Sequence, residues 1–209
     1  MATVNMRALL LGTRNPGKVI EISQILADSD WFFSSLEEFP EVGEAEENFV
    51  TFAENAIAKA QFYASATGLC ALADDSGLEV AALDGAPGVF SARYAGANAS
   101  DTDRRALLLS ELAKTGDTNR RARFVAAVAI ARPDGTVLNI SEGICEGKIT
   151  FAPRGTGGFG YDPLFVPDGY NQTFAELPDT IKNQISHRAR ALMRTREFLS
   201  QLDHPSVAS

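Results

Sequence analysis

The sequence predicts an α/β protein, because short apolar runs typical of buried strands alternate with segments in which apolar residues recur at helical spacing. The strand Arg7–Gly12 is followed by a first helix, and the weaker strand Trp31–Ser34 is followed by a helix over Phe49–Ala66. A chain of 209 residues, 45% hydrophobic and 22% charged, is suited to one globular domain with a sizeable core. We therefore expect a single domain over residues 1–209.

The loop after the first strand has the composition of a phosphate-binding loop. It joins a buried strand to the start of a helix, where backbone N–H groups favour anions. Gly12, Gly17 and Lys18 satisfy most of the Walker A pattern, but Val19 stands where Ser or Thr would hold magnesium. This disfavours a P-loop ATPase and leaves a phosphate-binding loop with Lys18 as its cation.

The helix predicted over Phe49–Ala66 has an apolar face and a polar ridge. The inward positions are predicted to be Phe49, Phe52, Ala53, Ala56, Ala60 and Tyr63. The polar positions, which recur every four residues, are Glu47, Thr51, Asn55 and Lys59. Each step of four drifts by only ~40° around a helix, so these side chains are expected to form one slanting ridge. The acidic linker Glu37–Glu47 before it is interpreted as mostly a solvated loop.

Two neighbouring carboxylates follow a short apolar run near the middle of the chain. Cys70–Ala73 predicts a buried strand, after which come Asp74 and Asp75, then Ser76 and Gly77. Adjacent acids at the end of a buried strand repel each other, so they need a cation or hydrogen-bond donors nearby. Two interpretations are open at this point: a metal or catalytic site, or an acidic turn that only ends the strand.

The second half of the chain predicts a capped helix, a hairpin and a short strand. A capping box begins the helix Asp101–Lys114. Arg121–Arg132 and Thr136–Gly147 flank a Pro-Asp-Gly turn and predict the hairpin. Leu164–Val166 predicts the short strand that follows it.

A glycine-rich loop and the start of the last helix are further candidate ligand contacts. Gly155–Asp162 has four glycines in six positions, which allows close approach of the backbone, and Phe159 and Tyr161 are available for stacking. A serine N-cap predicts that His187 and Arg188 lie in the first turn of a helix that runs through Leu202. Cations there oppose the helix dipole unless an anion neutralises them.

Charge and cysteine content exclude several classes of protein. The formal charge of 19 − 27 = −8 argues against a nucleic-acid binder, and the basic run from Arg120 to Arg123 is interpreted as a solvated edge. The longest apolar runs are too short to span a bilayer, and Met1–Met6 lacks a secretory pattern. Cys70 and Cys145 are predicted to be buried free thiols, which indicates a cytoplasmic protein.

Six motifs occur in order along most of the chain, from Leu9 to about Leu192. They are Thr13-x-Asn15-x-x-Lys18; Thr51-Phe-x-Glu-Asn-Ala56 with Lys59; Ala73-Asp-Asp-Ser-Gly77; Gly85-x-Pro-Gly88 with Ser91-Ala-Arg-Tyr94; Gly155–Asp162; and Lys182 with Ser186-His-Arg188. In this order and spacing the motifs resemble the inosine triphosphate pyrophosphatase family.

The resemblance implies a fold, an activity and a cofactor. The fold is an elongated α/β structure with a central mixed sheet and flanking helices, in two lobes with the active site in the cleft between them. The activity is hydrolysis of dITP, ITP and XTP to the monophosphate and pyrophosphate, which clears these compounds from the nucleotide pool. The family is usually homodimeric and needs Mg²⁺.

The resemblance also implies the site residues. Asp75 would be the proton acceptor and a metal ligand, and Glu47 would complete the Mg²⁺ site, with Glu46 and Asp74 as alternative acids. The residues implied to contact substrate are Thr13, Arg14, Asn15, Pro16, Gly17, Lys18, Ser76, Phe159, Gly160, Tyr161, Asp162, Lys182, His187 and Arg188. A triphosphate carries about four negative charges, which a hard cation together with Lys and Arg side chains offsets.

Two rival functions differ from this expectation. A Maf-like nucleotide pyrophosphatase has a related fold and similar chemistry, but its motifs differ from the Ser-His-Arg and glycine-rich motifs present here. A nucleotide-sensing module with the same fold would be expected to lack one of the acids or Lys18, and none of these is missing.

Overall fold

The computed structural model describes residues 8–203, which form a mixed six-stranded sheet with flanking helices. The strands are β1 (Ala8–Leu11), β2 (Phe32–Ser35), β3 (Cys70–Val80), β4 (Arg121–Ala131), β5 (Val137–Ile149) and β6 (Phe165–Pro167). The α-helices are α1 (Pro16–Ile25), α2 (Phe52–Thr67), α3 (Asp101–Thr115), α4 (Asp179–Ile185) and α5 (His187–Asp203). The α/β class expected from the sequence is confirmed.

The sheet is ordered β2-β1-β3-β4-β5-β6. β1 pairs in parallel with both β2 and β3, with Leu10 opposite Ser34 on one side and Ala71 on the other. β6 pairs antiparallel with β5, so the sheet is mixed. β1 is buried along almost its whole length, as expected for a strand with a parallel partner on each side.

β3 continues through the acidic pair instead of ending before it. Its eleven residues include Asp74, Asp75, Ser76 and Gly77, so the prediction of a strand that ends at Ala73 is wrong, and so is the acidic-turn interpretation. The reason is tertiary: β1 pairs only with Cys70–Leu72 of β3, so the turn-like segment lies beyond β1, where β4 is the remaining neighbour of β3 in the sheet. The two carboxylates therefore lie within β3, just past the end of β1, and both are buried.

α2 begins three residues later than predicted. The Thr51 side chain accepts a hydrogen bond from the backbone N–H of Glu54 at 3.2 Å, which makes Thr51 the N-cap. Phe49 therefore precedes the helix, and the prediction that it faces inward is wrong, since its exposed fraction is 47%. The helix ends at Thr67, one residue beyond the predicted Ala66, because Gly68 adopts a left-handed conformation at φ 72°.

Most of the second half of the chain follows the sequence predictions. Ser100 and Asp103 form the predicted capping box of α3, and β4 and β5 are neighbours joined by the predicted turn. Ser186 caps α5 by accepting a hydrogen bond from the N–H of Ala189 at 3.1 Å. The short helix α4 was not among the predicted elements.

The basic run before and within β4 is only partly a solvated surface. Arg121 pairs with Asp168 and Arg123 pairs with Glu79, all partly exposed. Arg120 is buried, with an exposed fraction of 5%, and β4 has a neighbouring strand on each side. The interpretation of Arg120 as part of a solvated edge is therefore wrong.

The chain divides into two compact units. The first takes in the chain up to Asp75, Ala127–Glu142 and the chain from Ala191; the second consists of Ser76–Ala126 and Gly143–Arg190. The core of the second unit contains a group of aromatic side chains in mutual contact, namely Phe124, Phe165 and Phe174.

Some expectations concern residues outside the described range. These are the secretory pattern considered for Met1–Met6 and the start of the first strand at Arg7. Within residues 8–203, no helix combines the length and the apolar character that crossing a membrane requires.

Candidate active site

The loop between β1 and α1 is shaped by a glycine and an asparagine cap. A side chain at Gly12 would bring its Cβ within 2.8 Å of the Tyr63 ring and 3.1 Å of the Leu72 carbonyl oxygen, so the close packing of this loop on β3 requires glycine. Asn15 is the N-cap of α1, and its Oδ1 accepts from the N–H groups of Gly17 and Lys18 at 2.9 and 3.2 Å. Thr13 Oγ1 in turn accepts from the N–H of Asn15 at 3.2 Å.

The helix start at Asn15 could have been predicted from the local sequence. Asn followed by Pro16 at the first helical position is a helix-start signature, because Pro has no N–H to satisfy there. Substrate contacts by Thr13, Asn15, Pro16 and Gly17 stay predictions.

Arg14 points its guanidinium at the acidic linker. It donates to the carbonyl oxygens of Leu36 at 3.3 Å, Phe39 at 3.4 Å and Val42 at 2.6 Å. These bonds hold the segment that leads to Glu47, so Arg14 positions the linker in this structure. Its predicted contact with substrate stays a prediction.

Three carboxylates and two lysines of the first unit form what we call the acid–lysine cluster: Lys18, Glu47, Lys59, Asp74 and Asp75. Lys18 Nζ lies 2.7 Å from Asp74 Oδ1. Lys59 Nζ lies 2.6 Å from Glu47 Oε1 and 3.9 Å from Asp75 Oδ1, and it donates to the backbone oxygen of Asp74 at 2.9 Å. The cluster has a formal charge of −1 when all five groups are ionised.

Burial and mutual charge shift the pKa values in this cluster. Burial is the largest influence on Asp75 and raises the pKa of its carboxyl to about 6; Lys59 and Lys18 lower it, and Glu47 and Asp74 raise it. Burial by itself lowers the pKa of Lys59, but the three carboxylates outweigh that effect, and the net pKa is raised. Lys59 therefore stays charged, whereas the Asp75 carboxyl, with a pKa of about 6, ionises at a higher pH than an ordinary aspartate.

Asn55 organises the segment around this cluster. Its side chain is fully buried on α2 and donates to Asp75 Oδ2 at 3.1 Å. The same amide accepts from the N–H of Phe49 at 3.0 Å and donates to the Phe49 carbonyl at 3.3 Å. Asn55 thus fixes both Asp75 and the chain just after Glu47, a role that its place on the predicted polar ridge did not reveal.

The structure distinguishes the two neighbouring glutamates of the linker. Glu47 reaches into the cluster, whereas Glu46 is exposed and accepts from the side chain of Asn48 at 2.6 Å. Glu46 is therefore the weaker candidate for a metal ligand. Asp74 is fully buried beside Lys18.

The donor chemistry of the cluster fits a hard divalent cation. Within residues 8–203 no group of three or more His, Cys, Asp or Glu side chains is arranged to hold a metal ion. Mg²⁺, however, is typically bound by one or two carboxylates together with waters and substrate phosphates. Glu47 and Asp75, which approach the same ammonium of Lys59, supply two such carboxylates.

In the second unit, a buried ion pair fixes the glycine-rich loop. Lys182 Nζ lies 2.6 Å from Asp162 Oδ2, and both side chains are buried. The same carboxylate oxygen accepts from the N–H of Phe159 at 2.9 Å. A Cβ at Gly158 would lie 2.1 Å from Asp162 Oδ2, so only glycine allows this approach. The Lys182 ammonium lies 5.1 Å from the centre of the Phe159 ring, within cation–π range.

The first turn of α5 also contacts aromatic rings and β3. The His187 imidazole stacks on Phe124 with ring centres 4.6 Å apart and an interplanar angle of 9°. Arg188 is almost fully buried, donates to Ser76 Oγ at 2.8 Å and lies 5.6 Å from the centre of the Phe159 ring. The structure thus brings Ser76, Phe159 and Arg188 together, as a shared ligand site requires.

Gly160 and Tyr161 are held by the rest of the second unit. The Gly160 N–H donates to Asp101 Oδ2 at 2.7 Å, and its carbonyl accepts from Arg105 at 2.7 Å. Tyr161 is buried in the core and its hydroxyl donates to the Ser91 carbonyl at 3.0 Å; burial raises the pKa of that hydroxyl. The predicted stacking role is better suited to Phe159 than to Tyr161, and substrate contact by either stays a prediction.

Comparison with known proteins identifies the family of this site. The model of the Ham1 family matches residues 9–198. The chain belongs to the Ham1 family. Two similar members are called dITP/XTP pyrophosphatase: one from Desulforamulus reducens is 51% identical over 93% of this chain and 96% of its own length, and one from Geobacter sulfurreducens is 50% identical over 93% and 97%.

A solved structure of a Ham1 family member has the same fold. The HAM1 protein from Coxiella burnetii superposes with a TM-score of 0.85 at 43% identity, covering 93% of this chain and 98% of that one. The family resemblance found in the sequence motifs is therefore confirmed.

Proposed function

We propose that this Ham1 family protein hydrolyses nonstandard purine nucleoside triphosphates, namely dITP, ITP and XTP, to the monophosphate and pyrophosphate. The reaction removes these compounds from the nucleotide pool before they are incorporated into DNA and RNA. The names of the similar family members support this substrate class and this hydrolysis of an acid anhydride. The observation that carries the proposal is the acid–lysine cluster, in which a buried Asp75 has a pKa of about 6 beside two lysines.

The triphosphate binds to the lysines of this cluster and to the loop that begins α1. Lys18 and Lys59 each hold an ammonium close to the acids, where their charge offsets the phosphate oxygens. The start of α1 adds the positive end of a helix dipole, although the N–H groups of Gly17 and Lys18 already donate to Asn15. Because this binding energy acts in the ground state and in the transition state, it supports substrate binding as well as turnover.

Asp75 accepts the proton of the attacking water. The water oxygen forms a bond to the α-phosphorus, the bond from that phosphorus to the bridging oxygen breaks, and pyrophosphate leaves with the bond electrons. A base whose pKa of about 6 lies just below the working pH is mostly ionised there and still accepts a proton well. Asn55, by its hydrogen bond to Asp75 Oδ2, keeps this carboxylate oriented.

Glu47 and Asp75 are the proposed ligands of Mg²⁺. When bound there, the ion neutralises phosphate charge and polarises the phosphorus toward attack. Asn55 and Arg14 hold the protein segments that present the two carboxylates.

The base of the nucleotide is recognised by residues of the second unit. Phe159 offers an aromatic ring to a planar base, while Lys182, His187 and Arg188 carry donors. Inosine and xanthosine have an acceptor oxygen at C6, where adenine has an amino donor. Each buried donor left facing a donor costs about 1–3 kcal/mol, so two such donors disfavour ATP by ~100-fold or more.

The active form is proposed to be a cytoplasmic homodimer. The cysteines, which are free thiols, support a reducing compartment, and the family resemblance supports the dimer. Light scattering of the purified chain measures the oligomeric state, and a monomer at all concentrations would contradict it.

Product analysis tests the proposed reaction. Phosphorus NMR of ITP incubated with the enzyme and Mg²⁺ should show pyrophosphate appearing together with the monophosphate. In ¹⁸O-labelled water the label should enter the monophosphate, because attack is at the α-phosphorus. Primary release of orthophosphate, or label in pyrophosphate only, would contradict the mechanism.

A further inference from the structure

A pocket in the second unit is lined by residues to which the proposed reaction assigns no role. Its volume is about 540 Å³, within the range of small-molecule sites. The part of its lining used below, which we call the basic pocket, consists of Asn119, Arg120, Lys148, Phe151 and Arg154. The lining includes three cations and no carboxylate, in a chain whose net charge is −8.

Arg120 is the buried cation of this pocket. Its Nε donates to the carbonyl of Ile149 at 2.9 Å and its Nη2 donates to the carbonyl of Thr150 at 3.0 Å. A guanidinium has five N–H donors, so three remain for a ligand, because the Arg120 guanidinium donates no other hydrogen bond within residues 8–203. A mostly buried charge with no carboxylate in direct contact is costly, and an anion in the pocket would compensate it.

No nearby acid of the described chain forms an ion pair with Arg120: burial is the larger effect and lowers the pKa of Arg120, while the charge of Asp117 favours the charged guanidinium. No carboxylate lies within ion-pair distance of its guanidinium among residues 8–203. The closest acid in sequence, Asp117, accepts from the backbone N–H groups of Asn119 and Arg120 at 2.9 and 3.1 Å. At the rim, Glu176 lies 3.5 Å from Arg154, an ion pair that is partly exposed.

Phe151 adds an aromatic surface to the basic pocket. Its exposed fraction is 74%, unusually high for a phenylalanine. The guanidinium of Arg120 lies 4.5 Å from the centre of the ring and covers one face. The ring therefore offers its remaining surface to a planar group, next to the cations that attract an anion.

We propose that the basic pocket binds a nucleoside monophosphate, with the phosphate at Arg120, Lys148 and Arg154 and the base stacked on Phe151. Inorganic phosphate shares the anion chemistry but has no ring to stack, so the two ligands are distinguishable. None of the pocket's residues belongs to the acid–lysine cluster or to the residues proposed to contact the base. Failure of this proposal would leave the proposed reaction intact.

Chemical-shift mapping of the ¹⁵N-labelled full-length chain tests this site, with AMP and inorganic phosphate as separate probes. The amide signals of Asn119, Thr150 and Phe151 are expected to shift saturably with AMP. Phe151→Ala should weaken AMP binding about fivefold or more, the loss of one stacking contact, and leave phosphate binding unchanged. Lys148→Gln should weaken both probes and reduce the dependence of binding on salt.

Lys18→Ala is the matched control, because it removes phosphate binding at the proposed active site and should leave the pocket signals unchanged. Both pocket variants change exposed side chains, so their fold is expected to be intact, and circular dichroism checks it. The proposal is overturned if the pocket amides do not shift, if Phe151→Ala affects AMP and phosphate equally, or if Lys18→Ala abolishes the shifts. Shifts that follow protein concentration instead of AMP would mean a contact between copies, which also overturns it.

Discussion

The substitution Asp75→Asn should abolish most activity and at the same time stabilise the protein. Asp75 is buried beside both acids and lysines, and burial, the largest influence, raises the pKa of its carboxyl to about 6 against an ordinary value of 3.8. The folded state therefore binds a proton at Asp75 more tightly than the unfolded state does. Asparagine resembles the neutral acid in shape, and its side-chain oxygen is able to accept the hydrogen bond from Asn55.

The sign and the size of the effect follow from linkage. Because the folded pKa is raised, the stabilisation from the neutral form is present below pH 4 and is lost as the pH rises from about 4 to about 6. A shift of about two pKa units corresponds to about 3 kcal/mol. At pH 8 without metal, Asp75→Asn should therefore raise the free energy of unfolding by about 3 kcal/mol, or the melting temperature by about 6–12 °C.

Urea unfolding at pH 4 and pH 8 in the presence of EDTA measures this effect. The variant should gain stability over wild type at pH 8 and little at pH 4. Turnover of ITP should fall about 10²–10⁴-fold, the contribution of a general base. Added Mg²⁺ should stabilise wild type more than the variant, because the variant lacks one proposed ligand. A variant that is less stable than wild type at pH 8, or that keeps wild-type turnover, would refute this reasoning.

Three further substitutions test other parts of the site. Asn55→Ala should lower the free energy of unfolding by about 1–3 kcal/mol for each buried partner left without a hydrogen bond. Urea unfolding measures this loss, and Asn48→Ala, which changes an exposed side chain, is the control. Lys182→Met should destabilise the folded protein by about 3–5 kcal/mol, because Asp162 stays buried without its partner. Calorimetry should show that the stability recovers when Asp162→Asn is added to this variant. His187→Ala should lower kcat/KM for ITP far more than for ATP, and an equal loss on both would mean that His187 does not read the base.

Much of the fold was predictable because local patterns and tertiary structure agree. The periodicity and turn residues of the sequence match the structure at three places. These are the strands β1 and β3, the helix α1 that follows the phosphate-binding loop, and the β4–β5 hairpin. The predictions failed where tertiary contacts outweigh local preference. The Asp-Asp-Ser-Gly segment resembles a turn, yet β3 continues extended through it, past the end of β1 and with β4 as its remaining neighbour in the sheet.

The candidate site was predictable in its residue types but not in its pairings. The sequence motifs indicated Lys18 and Asp75, and the family resemblance implied Glu47, but periodicity carries no information about which lysine meets which acid. The pairing of Lys59 with Glu47 depends on the path of the acidic linker, which Arg14 fixes through three backbone carbonyls. Such long-range bonds to backbone oxygens leave no pattern in the sequence.

Pyrophosphate release from a panel of nucleoside triphosphates tests the central claim most directly. With Mg²⁺ present, kcat/KM for ITP, dITP and XTP is expected to exceed that for ATP by ~100-fold or more, the effect of two mismatched buried donors. The activity should disappear with Asp75→Asn. Equal rates on ITP and ATP, or no pyrophosphate from ITP, would contradict the proposed function.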